Sequence, residues 1–146
     1  MRTRSVMPTM VAFAILALSL TRATLAEEPC SLRSAAGDWQ YTIHDVDHTT
    51  GPPASVGAFH LERDGSARGT QTAHVNGSLV EGEILTGMIT VSSDCKGRAS
   101  VVFSNTPYPR TAALDIVLEN DSTEFHSTFM DDGLFFAVEA KRIDHK

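Results

Sequence analysis

Between Val56 and Cys95 the chain alternates short strand-like segments with Asp64-Gly65, Asn76-Gly77 and Asp94-Cys95-Lys96-Gly97. Asn, Asp and Gly tolerate the positive φ that a two-residue primed turn demands, so this spacing predicts antiparallel strands joined by tight hairpins. No other feature limits the fold as strongly. A succession of short hairpins leaves no room for the crossover connections that parallel strands require.

The same rhythm extends over most of the chain. Trp39, Tyr41 and Ile43 alternate with Gln40, Thr42 and His44, the period-two pattern of a half-buried strand. Strands are also expected over Val56 to Arg63, Ala67 to Val75, Ser78 to Glu81, Ile84 to Val91, Arg98 to Ser104, Thr111 to Leu118, Thr123 to Met130 and Leu134 to Arg142. Gly82 either turns the chain or bulges it, and Glu27 to Ala36 forms a leader with at most one helical turn. Asp47 to Pro53 (DHTTGPP) and Asn105 to Arg110 (NTPYPR) read as Pro-rich loops, because proline cannot donate into a ladder. The chain is therefore expected to be all-β: a small antiparallel up-and-down β-barrel of eight or nine strands, with a two-sheet β-sandwich as the alternative.

Residues 1–26 are not expected to belong to that fold. Arg2 and Arg4 precede the apolar run Val11 to Leu20, and Thr24-Leu25-Ala26 ends on a small residue, the pattern of a cleaved export signal. The run is shorter than the roughly 20 apolar residues a membrane-spanning helix needs. Removing it leaves a single domain over residues 27–146 and takes away Arg2, Arg4 and Arg22. Nine basic residues then face 18 acidic ones, a formal charge of −9. Such a balance, without any Lys/Arg-rich run, disfavours nucleic acid and anionic membrane surfaces as partners. Oligomeric state is not legible. In an oxidising compartment, periplasmic or extracellular, Cys30 and Cys95 are expected to form a structural disulfide.

The stretches GDWQYTI, VGAFHLERDGSARGTQTAHVNGS, LTGMITVSSDCKGRA and LDIVLEN carry Val-Gly, Asp-Gly, Gly-x-Gln-Thr, Val-Asn-Gly, Leu-Thr-Gly and Asp-Cys-x-Gly signposts. In these the chain resembles a group of small secreted bacterial proteins of uncharacterised function. The signposts are mainly turn and glycine positions, so the resemblance implies a fold and a compartment and no activity. The fold-level analogy is to small barrels such as lipocalin-like binders and allene-oxide-cyclase-like enzymes, a class that hosts unrelated functions.

G-x-S-x-G, H-E-x-x-H, a Gly-rich phosphate loop and a free nucleophilic cysteine are all missing from the sequence, which removes the usual support for hydrolase, protease and nucleotide chemistry. The His44-Asp45-Val46-Asp47-His48 cluster has metal-ligand residue types, but neighbouring strand residues face opposite ways, so no metal or other cofactor is expected. The first functional expectation is a barrel that binds a small, partly apolar molecule, with Trp39, Tyr41, His60, His74 and Tyr108 as candidate ligand-binding residues. One enzymatic alternative is a cofactor-independent cyclase or isomerase using a lumenal histidine beside Glu62 or Glu81. Another is an envelope interaction module with an exposed apolar patch. The side-chain parity of Phe59 and His60 decides among them, because it determines which face lines the interior.

Overall fold

A computed structural model describes residues 30–45, 54–75, 77–119, 122–131 and 134–143; the expected export signal over residues 1–26 lies outside them. One helical turn, α1 (Leu32–Ala35), precedes eight strands: β1 (Gly37–Asp45), β2 (Ser55–Leu61), β3 (Ser66–Val75), β4 (Ser78–Val91), β5 (Lys96–Ser104), β6 (Arg110–Glu119), β7 (Glu124–Asp131) and β8 (Leu134–Arg142). Each strand pairs antiparallel with the next, and β8 closes on β1, so the sheet is a barrel without edges. Closure excludes the sandwich. The ninth strand disappears because Ser78 to Glu81 and Ile84 to Val91 form one bent strand, β4.

Closure fixes a single inner face. Trp39, Tyr41 and Ile43 of β1, Phe59 and Leu61 of β2, Leu85 and Ile89 of β4, and Ile116 and Leu118 of β6 are buried inside. The outward positions mix polar side chains with exposed Val56, Ile84, Met88, Val102 and Val117, and Arg98 and Asp115, paired at 3.0 Å, stand exposed on the outer wall of β5 and β6.

Two of the expected two-residue turns are replaced by longer ones. At Asp64-Gly65, Glu62 N–H donates to the Ser66 carbonyl at 2.8 Å and Gly65 N–H to the Glu62 carbonyl at 3.1 Å, with Gly65 at φ 91°. The Ser92–Lys96 connection repeats this pattern, with Cys95 at φ 65° in the left-handed position. Both are type I turns followed by a bulge residue, which gives a right-twisting hairpin without a primed turn. Asn76 of the Asn76-Gly77 pair lies outside the described residues.

The two ends of the barrel differ. At one, α1 is held by a capping box between Ser31 and Ser34, and Trp39 Nε1–H donates to the Ala35 carbonyl at 2.9 Å. Trp39 is 1 % exposed and packs with Phe59 and Phe125 at ring separations of 6.1 and 5.4 Å. The Cys30–Cys95 disulfide ties the start of the described chain to the β4–β5 hairpin at this end. Such a covalent link is characteristic of an oxidising, exported environment. At the other end, the 105–109 segment borders an opening between β1, β3, β6 and β8.

Candidate functional site

A bulge in β4 borders the buried cluster at the open end. Gln71 pairs with Glu83 but Ala73 pairs with Val80, so β4 carries one extra residue there, and Gly82 takes φ 70°, a value glycine adopts without steric cost. The extra residue switches the strand's parity. Val80 is half-buried on one side of the bulge, and beyond it Glu83 joins Leu85 and Ile89 on the inner face. Glu83 keeps the parity of Leu85 and Ile89, and the bulge brings Val80, paired with buried Ala73, onto the same side.

Glu83 is fully buried and fully bonded. Arg110 grips it with both terminal nitrogens, Nη1 to Oε1 at 2.7 Å and Nη2 to Oε2 at 2.8 Å. Thr106 Oγ1 donates to Oε1 at 2.7 Å, and Gln71 Nε2 to Oε2 at 2.7 Å. Behind them the Tyr41 hydroxyl donates to Gln71 Oε1 at 2.7 Å, which fixes the orientation of that amide. Tyr41 reaches it because the residue paired opposite is Gly57, where a Cβ would come within 2.6 Å of the tyrosine ring. Arg110 pairs across the ladder with Phe103, and its guanidinium lies 4.6 Å above that ring. From there it spans β5 to reach Glu83 on β4.

These contacts set the ionisation of the cluster. Burial pushes the Glu83 carboxyl up, but the hydrogen bonds from Arg110, Gln71 and Thr106 and the Arg110 charge outweigh it and hold the pKa at about 2. Burial, reinforced by the Glu83 charge, raises the Tyr41 phenol, so it remains a neutral donor. Because the folded carboxyl lies below its ordinary 4.5, its contribution to stability is complete above that value and is lost as pH falls through about 2. The gap in thermal midpoint between the native protein and Glu83→Gln is therefore expected to be constant from pH 7 to about 5 and to narrow toward about pH 2. A gap unchanged at pH 2 would show that the buried carboxyl is not ionised.

Above this cluster lies a cavity of about 370 Å³, walled by Ile43, Ser55, Ala73, Phe103, Phe129 and Phe136, with Arg110 and Tyr108 at its side. Phe129 and Phe136, which both line it, stack on each other at 5.0 Å. Deeper in the barrel the side chains leave an apolar void of only about 50 Å³. The lumen is thus packed, and its accessible space is at the mouth.

The residues singled out from sequence are dispersed. Tyr41 lies in the network beneath the mouth and Tyr108 borders the cavity. Trp39 is sealed into the opposite end, stacked on Phe59, because its indole N–H serves as the anchor for α1. Phe59 is buried, so His60 faces outward, where it pairs with Asp38 at 2.6 Å. That hydrogen bond raises its pKa, with Glu62 at 3.6 Å adding to the effect. His74 stands at the rim with its side chain exposed, and His126 is exposed on β7. Glu62 and Glu81 are exposed as well. Of the His44 to His48 cluster only His44 and Asp45 are described, and no group of three metal-ligand residues occurs among the described residues.

Glu83, Arg110 and Thr106 escape a reading of the sequence, although two of them leave a trace. Counting back by twos from Ile89 and Leu85 reaches Glu83, and counting back from Leu118, Ile116, Leu114 and Ala112 reaches Arg110. An oppositely charged pair on two inward-facing series is the signal. The chain matches no protein-family model, and no curated protein matches it in sequence.

Proposed function

We propose that this protein is an exported barrel that binds a small, partly apolar molecule at its open end. The observation that carries the reading is the cavity of about 370 Å³, which sets Ile43, Phe103, Phe129 and Phe136 beside the polar Ser55, Gln71 and Arg110, a mixed lining suited to a small, partly apolar ligand. Export by way of residues 1–26 is part of the same reading, supported by the signal-like leader and the disulfide. The resemblance to small secreted proteins agrees with it in fold and compartment. An isomerase using histidine has less support: His60 and His126 are exposed on the outer wall, His74 stands exposed at the rim with no carboxylate partner among the described residues, and Glu83 is held ionised by four hydrogen bonds.

Blocking the mouth tests the proposal. Ala54 lies at the rim, and its backbone bonds, N–H to the Ile43 carbonyl at 2.8 Å and carbonyl from His74 N–H at 2.7 Å, survive any side-chain change. Ala54→Trp is expected to leave the thermal midpoint nearly unchanged and to reduce the affinity for a neutral environment-sensitive probe such as N-phenyl-1-naphthylamine by at least about tenfold. Equal probe binding by the folded variant would place the binding surface elsewhere.

A further inference from the structure

The mouth cluster also indicates what kind of headgroup it receives. Guanidinium groups have five N–H donors in a rigid plane. In Arg110 three are committed: Nη1 to Glu83 Oε1 and, at 3.2 Å, to the Tyr108 carbonyl, and Nη2 to Glu83 Oε2. The Nε–H and the outer N–H of Nη2 have no partner among the described residues. They lie side by side on the edge of the plane away from Glu83 and form a second fork. Arg110 is a quarter exposed and lines the cavity, and the Phe103 ring beneath its guanidinium holds the plane in place.

We propose that this second fork binds the carbonyl oxygen of a neutral, compact, ring-bearing ligand such as a cyclic ketone, lactone, lactam or aryl ketone. The inference rests on the mouth being the binding site. Neutrality follows from charge: Glu83 already compensates Arg110 at 2.7–2.8 Å, so a ligand carboxylate would bring a second negative charge beside a buried one. Compactness follows from space, because the void of about 50 Å³ beneath the mouth admits no long chain. The ring follows from Phe103, Phe129 and Phe136, three aromatic side chains lining the cavity, against which an aromatic or alicyclic body packs.

A matched ligand series decides the point without altering the protein. Binding of 2-acetonaphthone, 2-naphthoate, naphthalene and palmitate is measured by titration calorimetry, while the Arg110 Nε–H resonance is followed in the labelled full chain. The neutral ketone is expected to bind about tenfold more tightly than naphthalene, as one hydrogen bond to a charged donor implies, and to bind more tightly than the carboxylate. It is also expected to shift the Nε–H signal. Tighter binding of 2-naphthoate would overturn neutrality, and equal binding of naphthalene would overturn headgroup recognition. Preference for palmitate would overturn compactness. Each of these outcomes leaves the mouth as the site, provided the shifts fall on its walls. If none of the four shifts any mouth resonance, the binding-site reading fails with the proposal.

Discussion

Replacing Arg110 with alanine is expected to destabilise the fold by about 3 kcal/mol, since it leaves the Glu83 carboxylate buried without its counter-charge. The lower end of the usual range for a broken buried pair applies, because Arg110 itself is a quarter exposed and water can follow it into the gap. Replacing both partners together, Glu83→Leu with Arg110→Met, is expected to cost less than Arg110→Ala alone. Removing both charges eliminates the desolvation penalty instead of exposing it. Denaturant unfolding followed by the emission of Trp39, the single tryptophan, reads both variants. A loss below about 1 kcal/mol for Arg110→Ala would mean that the carboxylate finds adequate compensation from Gln71 and Thr106.

The second large effect lies at the other end of the barrel. Changing Cys30 and Cys95 to alanine removes a link between residues 65 apart in sequence and is expected to destabilise the protein by about 4 kcal/mol in the chain-entropy account. The loss should come with earlier release of α1, whose remaining ties are all non-covalent: the Ser31–Ser34 box, the Trp39 indole on the Ala35 carbonyl, the Ser34–Ser122 contact at 3.1 Å and Arg142 Nη1 donating to the Ser34 carbonyl at 2.6 Å. Faster hydrogen exchange at Ala35 and Ala36, whose N–H groups bond to the Ser31 and Leu32 carbonyls, would record that release. If the double variant unfolds at the same denaturant concentration as the native protein, the disulfide contributes nothing beyond a fold that α1 and Trp39 already hold closed.

The two ends also show what a reading of sequence can reach. Wherever the strand period runs unbroken, as in Trp39, Tyr41 and Ile43 or in Leu114, Ile116 and Leu118, alternation alone assigns the inner face. The same parity sets His60 opposite Phe59, so the orientation of that histidine depends only on which side closes into the lumen. The site falls at the ends of such series. Glu83 and Arg110 each close an inward-facing alternation, one next to the β4 bulge and the other at the end of a Pro-rich segment that reads as loop, although β6 begins there. The two are 27 residues apart on strands separated by β5. Their meeting is a product of barrel closure, which local pattern does not encode. Three-dimensional curvature carries Arg110 across Phe103 to its partner.

The most direct measurement is the map of backbone amide shifts on adding 2-acetonaphthone to the chain from residue 27 to residue 146. Perturbations are expected to concentrate at the open end, on Ile43, Ala73, Arg110, Ala112 and Phe129, with the signals of Trp39 and Phe125 at the closed end unmoved. Perturbations centred on the closed end or on the outer wall, with the mouth residues silent, would contradict the mouth as the binding site.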